Sequence, residues 1–248
     1  MKILIVSATQ FEVKPLLDFL GIVVPSKGMN NANMDFDDKD IQVLITGVGM
    51  VNTAFMMGRY INSLYDLVIN VGVCGAFDKQ LELGQLVHVT SDILSEMGAE
   101  DGEEFLTYDQ LNLPGQHMFS ENYSVSNPLI DSLKKVKGIT VNTVHGNEIN
   151  IKKVQELYHP EVESMEGAAF FAGCVRAGGD FIQIRATSNY VEKRDKSKWQ
   201  MPLAIKNLND FLINFINSNN YNLTEGIDTV FTTNLLQISA SSLTNNSN

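Results

Sequence analysis

Short apolar runs that alternate with helix-like segments constrain the fold of this chain more than any other feature. The runs have the length and continuous apolar character of strands buried on both faces, and they cover 3–6, 43–46, 67–73, 86–93, 139–144 and 181–187. The segments between them repeat apolar residues at helical spacing, over 10–20, 53–64, 128–136, 165–175 and 202–216. This alternation predicts a three-layer α/β fold, in which a central, mostly parallel, twisted sheet is flanked by helices.

The length of the chain and the composition of its end predict one folded domain and a tail. A chain of 248 residues can bury a single sizeable core, which we expect over 1–218. Asn, Ser and Thr dominate 219–248, and no charged residue follows Asp228. Such a polar segment buries too little apolar surface to order itself, so we predict a disordered tail. Docking of its apolar residues around Leu235 is the alternative.

Charge and cysteine content narrow the classes of function. The formal net charge of −11 argues against a surface that binds nucleic acid. The two cysteines lack CxxC spacing and predict free thiols in a reducing compartment. The N-terminal apolar run is too short for a signal peptide, and no stretch has the length of a membrane span, so we expect a cytoplasmic protein without a membrane partner. The histidines show no metal-ligand spacing, and we expect neither a metal nor another cofactor.

Glycines follow two of the expected strands, in 47–49 and 72–75. In a parallel sheet the ligand crevice lies at the carboxyl ends of the strands, and glycine there lets backbone N–H groups approach a ligand closely. Neither segment is a complete GxGxxG motif with an acidic residue at the distance that a dinucleotide requires, so we do not expect a Rossmann dinucleotide site. Tight turns without a ligand are the alternative.

Polar residues at three strand ends converge on the same expected crevice. Glu12 follows the first strand, Met165-Glu166 precedes a helix rich in small residues, and 185–190 ends the last expected strand. A carboxylate can accept hydrogen bonds from two neighbouring ribose hydroxyls, and methionine offers a soft apolar face to a sugar or a base. Taken singly, each has a simpler explanation, namely a favourable charge near a helix dipole, a helix start beside a core methionine, or a turn.

The order and spacing of these residues resemble a known superfamily. Glu12, Met165-Glu166-Gly167-Ala168 and 185–188 are similar to the methylthioadenosine/S-adenosylhomocysteine nucleosidases, a branch of the nucleoside phosphorylase and nucleosidase superfamily. The resemblance spans 1–217. It implies a nucleoside phosphorylase-like fold, an N-glycosyl hydrolase acting on a small-molecule nucleoside, and a homodimer.

Further segments are similar to one family of that superfamily, the futalosine hydrolases. They are 97–102, 143–146, 188–195 and 199–205. Those enzymes cleave futalosine to hypoxanthine and dehypoxanthine futalosine on the alternative menaquinone pathway. The 5′ extension of futalosine ends in a benzoate, for which the sequence leaves four cationic or donor side chains open: Arg194, Lys198, His88 and His117.

The resemblance also implies roles for individual residues. Glu12 would be the general base that activates water, and Asn189 would stabilise the leaving base. The substrate-binding residues would be Glu166, Met165, Ile149, Gly75, Arg185 and Ser188. Glu166 would hold the ribose 2′- and 3′-hydroxyls and Met165 would pack against the sugar. Ile149, in the loop after the 139–144 strand, would lie beside the base, and the backbone of the 72–75 turn would help to position water.

Asn189 is the most informative difference between this chain and the adenine-specific nucleosidases that it resembles. Those enzymes have an aspartic acid at this position. An asparagine cannot transfer a proton, but its amide can donate to N7 of the base or accept from it. One well-aimed hydrogen bond to a leaving group is worth roughly 2–4 kcal/mol. Asn189 therefore favours a 6-oxopurine such as hypoxanthine over adenine.

The same scaffold hosts phosphorylases, so the nucleophile is a separate question. Phosphate needs several cationic or N–H donors, yet no arginine precedes Arg59 and the 72–75 turn lacks arginine and hydroxyl side chains. Water needs only a base, so the sequence predicts hydrolysis. The alternatives are a methylthioadenosine/S-adenosylhomocysteine or aminodeoxyfutalosine nucleosidase, and a non-catalytic nucleoside-binding protein.

Overall fold

The computed structural model describes residues 1–23, 31–36, 39–62, 64–218 and 222–223. Its strands are β1 Lys2–Ser7, β2 Asn31–Phe36, β3 Lys39–Ile45, β4 Leu67–Ala76, β5 Leu86–Leu94, β6 Gly98–Asp101, β7 Glu104–Thr107, β8 Met118–Ser120, β9 Val125–Ser126, β10 Lys134–Thr140, β11 Val162–Ser164, β12 Asp180–Tyr190 and β13 Asn222–Leu223. Its helices are α1 Lys14–Leu20, α2 Met50–Tyr60, α3 Pro128–Asp131, α4 Glu148–Tyr158, α5 Gly167–Ala177 and α6 Met201–Asn217, with a 3₁₀ turn at Lys196–Lys198.

One large mixed sheet organises the molecule. Its strand order is β11-β10-β5-β12-β4-β1-β3-β2, and β8 pairs with β5. β11 also pairs with β4, so that β4, β12, β5, β10 and β11 close into a five-stranded barrel. The pairs β1–β3, β1–β4, β4–β12, β5–β10 and β10–β11 are parallel, whereas β5–β12, β4–β11, β2–β3 and β5–β8 are antiparallel.

The α/β class predicted from the sequence is therefore confirmed, but the mostly parallel, twisted sheet is not, since the strand directions are mixed and five strands close into a barrel. An apolar run indicates that a strand is buried, but it does not indicate whether the strand is parallel or antiparallel to its neighbours. The closure of the barrel depends on the pairing of β11 with β4, whose residues lie far apart in the chain.

Helices cover both faces of the open part of the sheet, and the alternation of side chains along β1 shows why. Ile3 and Ile5 pack into the cluster that includes α1 and α6, whereas Leu4 and Val6 pack into the cluster that includes α2 and α5. Successive side chains of a strand point to opposite faces, so a run that is apolar throughout needs a cover on each side. The two cysteines are free, as the sequence predicted, and both are buried.

Two sequence interpretations differ from the structure in detail. The predicted helix over 128–136 stops at Asp131, and Lys134–Thr140 forms strand β10. The Asn127 side chain accepts the backbone N–H of Leu129 at 2.9 Å and begins this short helix, but pairing with β5 takes over a few residues later. The predicted first helix begins only at Lys14, which leaves Glu12 in the preceding turn.

The predicted tail over 219–248 lies outside the described residues, except that Asn222–Leu223 pairs with β9. The division of the chain at 218 therefore stays a prediction. Among the described helices, none combines the length and apolar character that crossing a bilayer requires.

Candidate active site

Parallel strands bring the predicted residues to one edge of the sheet. β1, β4 and β12 lie side by side in parallel orientation, so their carboxyl ends meet. The end of β1 leads to Glu12, and the ends of β4 and β12 carry Gly75 and Asn189. β11 closes against β4 at the same edge and leads into Met165-Glu166. This is the position at which open α/β sheets bind ligands.

These elements enclose a cavity of about 340 Å³. Six of the predicted site residues line it: Glu12, Gly75, Met165, Glu166, Ser188 and Asn189. Apolar side chains form much of the remaining wall, namely Phe11, Val48, Val73, Val144, Trp199 and Met201. An apolar cavity with a few converging polar groups is typical of a small-molecule site.

Glu12 is buried and held by donors on both carboxylate oxygens. Its Oε2 accepts the Thr9 hydroxyl at 2.8 Å and the Thr9 backbone N–H at 3.0 Å, while its Oε1 accepts the Val73 backbone N–H at 3.1 Å. A Cβ at Gly72 would lie 2.8 Å from Oε1, so the close approach of β4 to this carboxylate requires glycine. These donors fix the Glu12 carboxyl group at the cavity wall.

Glu166 lies across the cavity at the start of α5. Its Oε1 accepts the backbone N–H of Gly49 at 3.0 Å, and its Oε2 faces Arg185 Nη1 at 3.5 Å. Arg185 is only 1% exposed and lies behind Glu166, not on the cavity wall. The structure thus places Arg185 where it neutralises and orients Glu166, in contrast to the direct substrate contact that the resemblance implied.

A buried chain of hydrogen bonds continues from Arg185 to an aspartate that the sequence analysis missed. Arg185 Nη2 donates to Gln183 Oε1 at 3.3 Å, and Gln183 Nε2 donates to Asp92 Oδ2 at 2.9 Å. Thr140 donates to Asp92 Oδ1 at 2.8 Å. Burial raises the pKa of Asp92 to about 6, while the hydrogen bonds from Gln183 and Thr140 act in the opposite direction. Polar residues inside otherwise apolar strands were the available signal for this network.

Asn189 has a fixed amide orientation. Its Oδ1 accepts the Ser188 hydroxyl at 2.8 Å, and its Nδ2 donates to the Tyr190 carbonyl at 3.0 Å. An irregularity in β12 between Thr187 and Asn189 turns the strand end. One N–H of the amide is therefore left to donate to a ligand.

A second cavity of about 320 Å³ adjoins the first and shares part of its wall. The shared residues are Gly75, Val144, Glu163, Asn189, Arg194 and Trp199. Its own wall includes His145, whose Nδ1 lies 2.7 Å from Glu163 Oε2.

Of the four side chains left open for an anionic extension, Arg194 lines both cavities. Its guanidinium lies over the Trp199 ring at 4.6 Å, and it has no ion pair among the described residues. Lys198 lines the second cavity and lies 3.5 Å from Glu192. His88 is fully buried against Glu121, away from both cavities.

His117 is excluded from both cavities as well, since it stacks on Tyr108 at 4.4 Å. Within the part of the chain that the structure describes, no three His, Cys, Asp or Glu side chains are grouped so as to hold a metal ion.

Ile149 does not reach either of these cavities. It lies in the first turn of α4, not in a loop, and it is 67% exposed. The Asn147 side chain accepts the backbone N–H groups of Ile149 and Asn150, which starts the helix and turns Ile149 toward a neighbouring pocket. Val144 and His145 occupy the cavity wall where Ile149 was expected.

Comparisons with known proteins agree with this architecture. The family model of the Phosphorylase superfamily matches residues 2–217. A futalosine hydrolase of Thermus thermophilus is 27% identical over 172 residues, which cover 66% of this chain and 76% of that protein. A 5′-methylthioadenosine/S-adenosylhomocysteine nucleosidase of Marinomonas is 24% identical over 189 residues, which cover 72% and 80% of the two proteins. A solved structure of a mutant futalosine hydrolase of Helicobacter pylori shares the fold, with a TM-score of 0.73 at 18% identity over 87% of this chain and 98% of that one.

Proposed function

This chain belongs to the phosphorylase superfamily, and on that premise we propose that it hydrolyses the N-glycosidic bond of futalosine and releases hypoxanthine and dehypoxanthine futalosine. The observation that carries this proposal is the pair of buried carboxylates, Glu12 and Glu166, in one cavity with Asn189. The similarity to futalosine hydrolases supports the choice of substrate. The product would enter the alternative menaquinone pathway.

Glu166 holds the ribose in this proposal. Each of its oxygens is engaged by one protein donor, so lone pairs remain for the 2′- and 3′-hydroxyls. The buried Arg185 guanidinium lies 3.5 Å behind the carboxylate and orients it. As the bond to the base breaks, positive charge grows on the ribose, and a carboxylate at its hydroxyls stabilises that charge. Met165 packs against the sugar.

Glu12 is the general base and takes a proton from the attacking water. Its position at the wall, fixed by Thr9 and Val73, aims it into the cavity before substrate arrives. Such fixed placement supports catalysis because no reorganisation is needed during the reaction.

Water rather than phosphate is the nucleophile, because carboxylates already occupy the donors at the glycine segments. Glu166 takes the N–H of Gly49, and Glu12 takes the N–H of Val73. Arg185 is covered by Glu166. A phosphate dianion would meet two negative charges instead of a set of free donors.

Asn189 stabilises the leaving base. Its free amide N–H donates to N7 of a 6-oxopurine as negative charge collects on the ring. The Ser188 hydroxyl donates to the amide oxygen of Asn189 and thereby fixes which side of the amide carries its N–H groups.

Arg194 binds the anionic end of the 5′ extension. Its guanidinium has no ion pair within the described part of the chain and lies 4.6 Å from the centre of the Trp199 ring at the wall of both cavities, so it offers a planar pair of donors to a carboxylate and an aromatic surface beside it.

We also propose a homodimer that covers the open side of the cavity. Phe11 and Val48 line the cavity and are 66% and 49% exposed, and Val51 and Phe55 present one apolar face of α2 with exposures of 76% and 64%. An exposed apolar patch of this kind marks an interaction surface. The molar mass in solution, measured by light scattering, tests it.

The activity is tested by incubating the protein with futalosine, inosine and methylthioadenosine, with and without phosphate, and measuring the free base by chromatography. We expect hypoxanthine from futalosine, independent of phosphate. Glu12→Gln should lower turnover by about 10²–10⁴-fold while substrate still binds. Near-normal turnover of that variant would remove Glu12 from the mechanism.

A methylthioadenosine/S-adenosylhomocysteine nucleosidase is the second candidate. Its specific support is the match to the Marinomonas enzyme over 72% of this chain. Adenine release from methylthioadenosine in the same assay, faster than hypoxanthine release from futalosine, would favour it.

A further inference from the structure

A histidine and a buried glutamate face the second cavity and take no part in the mechanism so far. Glu163 is 3% exposed, and both of its oxygens are engaged by His145. The backbone N–H of His145 donates to Oε1 at 3.1 Å, and Nδ1 of the ring lies 2.7 Å from Oε2. A buried carboxylate needs a charged or strongly donating partner, and here a single residue supplies both contacts.

The closure of the barrel places this pair beside Asn189. Gly75 of β4 is paired with Glu163 of β11 on one side and with Asn189 of β12 on the other. A Cβ at Gly75 would lie 3.4 Å from Asn189 Nδ2 and 3.4 Å from Glu163 Cγ. The amide that receives the base and the carboxylate that holds His145 therefore flank the same glycine.

The imidazole is oriented and has one nitrogen free. Glu163 fixes Nδ1 as a donor, and the Phe77 ring packs beside the imidazole with centroids 6.1 Å apart. Among the described residues, Nε2 has no hydrogen-bond partner, and the His145 side chain is 16% exposed at the wall of the second cavity. A hydrogen bond at one ring nitrogen sets the role of the other, so Nε2 is the atom that meets a ligand.

A departing purine needs a proton donor, and the pair of His145 and Glu163 can supply one. Asn189 donates a hydrogen bond but cannot transfer a proton, so a purine that leaves with Asn189 alone departs as an anion. A protonated imidazole held against a carboxylate can donate a proton from Nε2 and remain paired.

We propose that His145 is the catalytic acid that protonates the departing purine, and that Glu163 is the positioning residue that orients it. The inference rests on the proposed function. The C1′–N9 bond breaks with its electron pair on the base, and the Nε2 proton moves to a ring nitrogen of the base. The oxygen of water bonds to C1′, and its proton moves to Glu12. Neutral His145 and protonated Glu12 then return to their starting states by proton exchange with solvent.

The test compares two leaving groups in the full-length protein. The first substrate is futalosine, and the second is p-nitrophenyl β-ribofuranoside, whose nitrophenolate departs without protonation. We expect His145→Gln to lower kcat for futalosine by about 10²–10³-fold and kcat for the nitrophenyl riboside by less than about tenfold. Glu163→Gln should show the same selectivity with a smaller loss. His117→Gln, a matched substitution outside both cavities, should leave both rates unchanged.

A structural role would lower both rates together, and this outcome would overturn the proposal, as would an unchanged futalosine rate. A second measurement is used if the wild-type protein does not cleave the nitrophenyl riboside. In His145→Gly, added imidazole should restore futalosine turnover at least about tenfold, and absence of rescue there would count against His145. If the wild type released no base from any nucleoside, the proposed function itself would fail. Failure of the His145 proposal alone looks different, because the wild type would then still release hypoxanthine from futalosine.

Discussion

Replacing Asp92 with asparagine tests the buried network beneath the cavity through its effect on stability. Every donor that reaches Asp92 points toward its oxygens: Gln183 donates to one, and Thr140 donates to the other. The carboxyl group is thus arranged as an ionised acceptor in a fully buried place. Burial opposes that charge and raises the pKa of Asp92 from 3.8 to about 6.

The difference between the folded-state and unfolded-state pKa of Asp92 sets the direction and size of its effect on stability. Because the folded-state pKa is raised, Asp92 adds stability that is fully present below about pH 4 and is lost as pH rises through about 6. A shift of about two pKa units corresponds to about 3 kcal/mol in total. Between about pH 4.5 and pH 7.5 the part that changes is about 2 kcal/mol.

The assay is urea unfolding of the wild type and of Asp92→Asn at the two pH values. Asparagine does not titrate, and any hydrogen bond that it loses costs the same at both pH values. The variant should therefore gain about 2 kcal/mol relative to the wild type when pH rises from 4.5 to 7.5. Asp101→Asn, at an exposed aspartate that ends β6, is the control. An Asp92→Asn difference that stays within about 0.5 kcal/mol across this range would refute a buried titrating carboxyl.

Three further changes test the site itself. Asn189→Asp should shift preference toward adenine nucleosides, measured as the ratio of kcat/KM for methylthioadenosine and futalosine, and an unchanged ratio would contradict the role of the amide. Arg194→Ala should raise KM for futalosine about tenfold or more but not for inosine, while the surface variant Arg176→Ala should change neither. Gly72→Ala puts a Cβ 2.6 Å from the buried Arg185 and 2.8 Å from the Glu12 carboxylate, so it should cost about 1–3 kcal/mol of stability and most activity. Thermal unfolding of Gly72→Ala at the wild-type temperature would contradict the steric argument.

The strand-end residues were predictable because they depend on local order along the chain. A parallel strand that ends in glycine or in a polar residue presents it at the ligand edge whichever strand lies next to it. Glu12, Glu166 and Asn189 meet this condition, and they line one cavity.

The barrel and its consequences were not predictable in the same way. Glu163 belongs to β11, a strand of three residues, and it gains its place only through antiparallel pairing with Gly75. His145 becomes a cavity residue because Asn147 starts α4 where it does. The positions of Glu163 and His145 thus depend on pairing between distant segments and on a helix N-cap. The spacing of apolar residues predicts neither of these features.

In the proposed function, the buried charges let the carboxylates of the cavity wall bind a ribose and exclude phosphate. Arg185 lies between Glu166 and Gln183, and the hydrogen bonds run from it toward Asp92. Arg185 is thereby engaged by Glu166 on the cavity wall and, through Gln183, is linked to Asp92 below it, and it does not line the cavity itself. Glu166 and Glu12 each accept one backbone N–H of the two glycine segments, so the wall carries carboxylates where, in the proposed reaction, the ribose becomes positive. In this proposal, attraction for a cationic sugar and repulsion of an anionic nucleophile follow from the same two carboxylates, and hydrolysis is linked to the placement of Arg185 behind the wall.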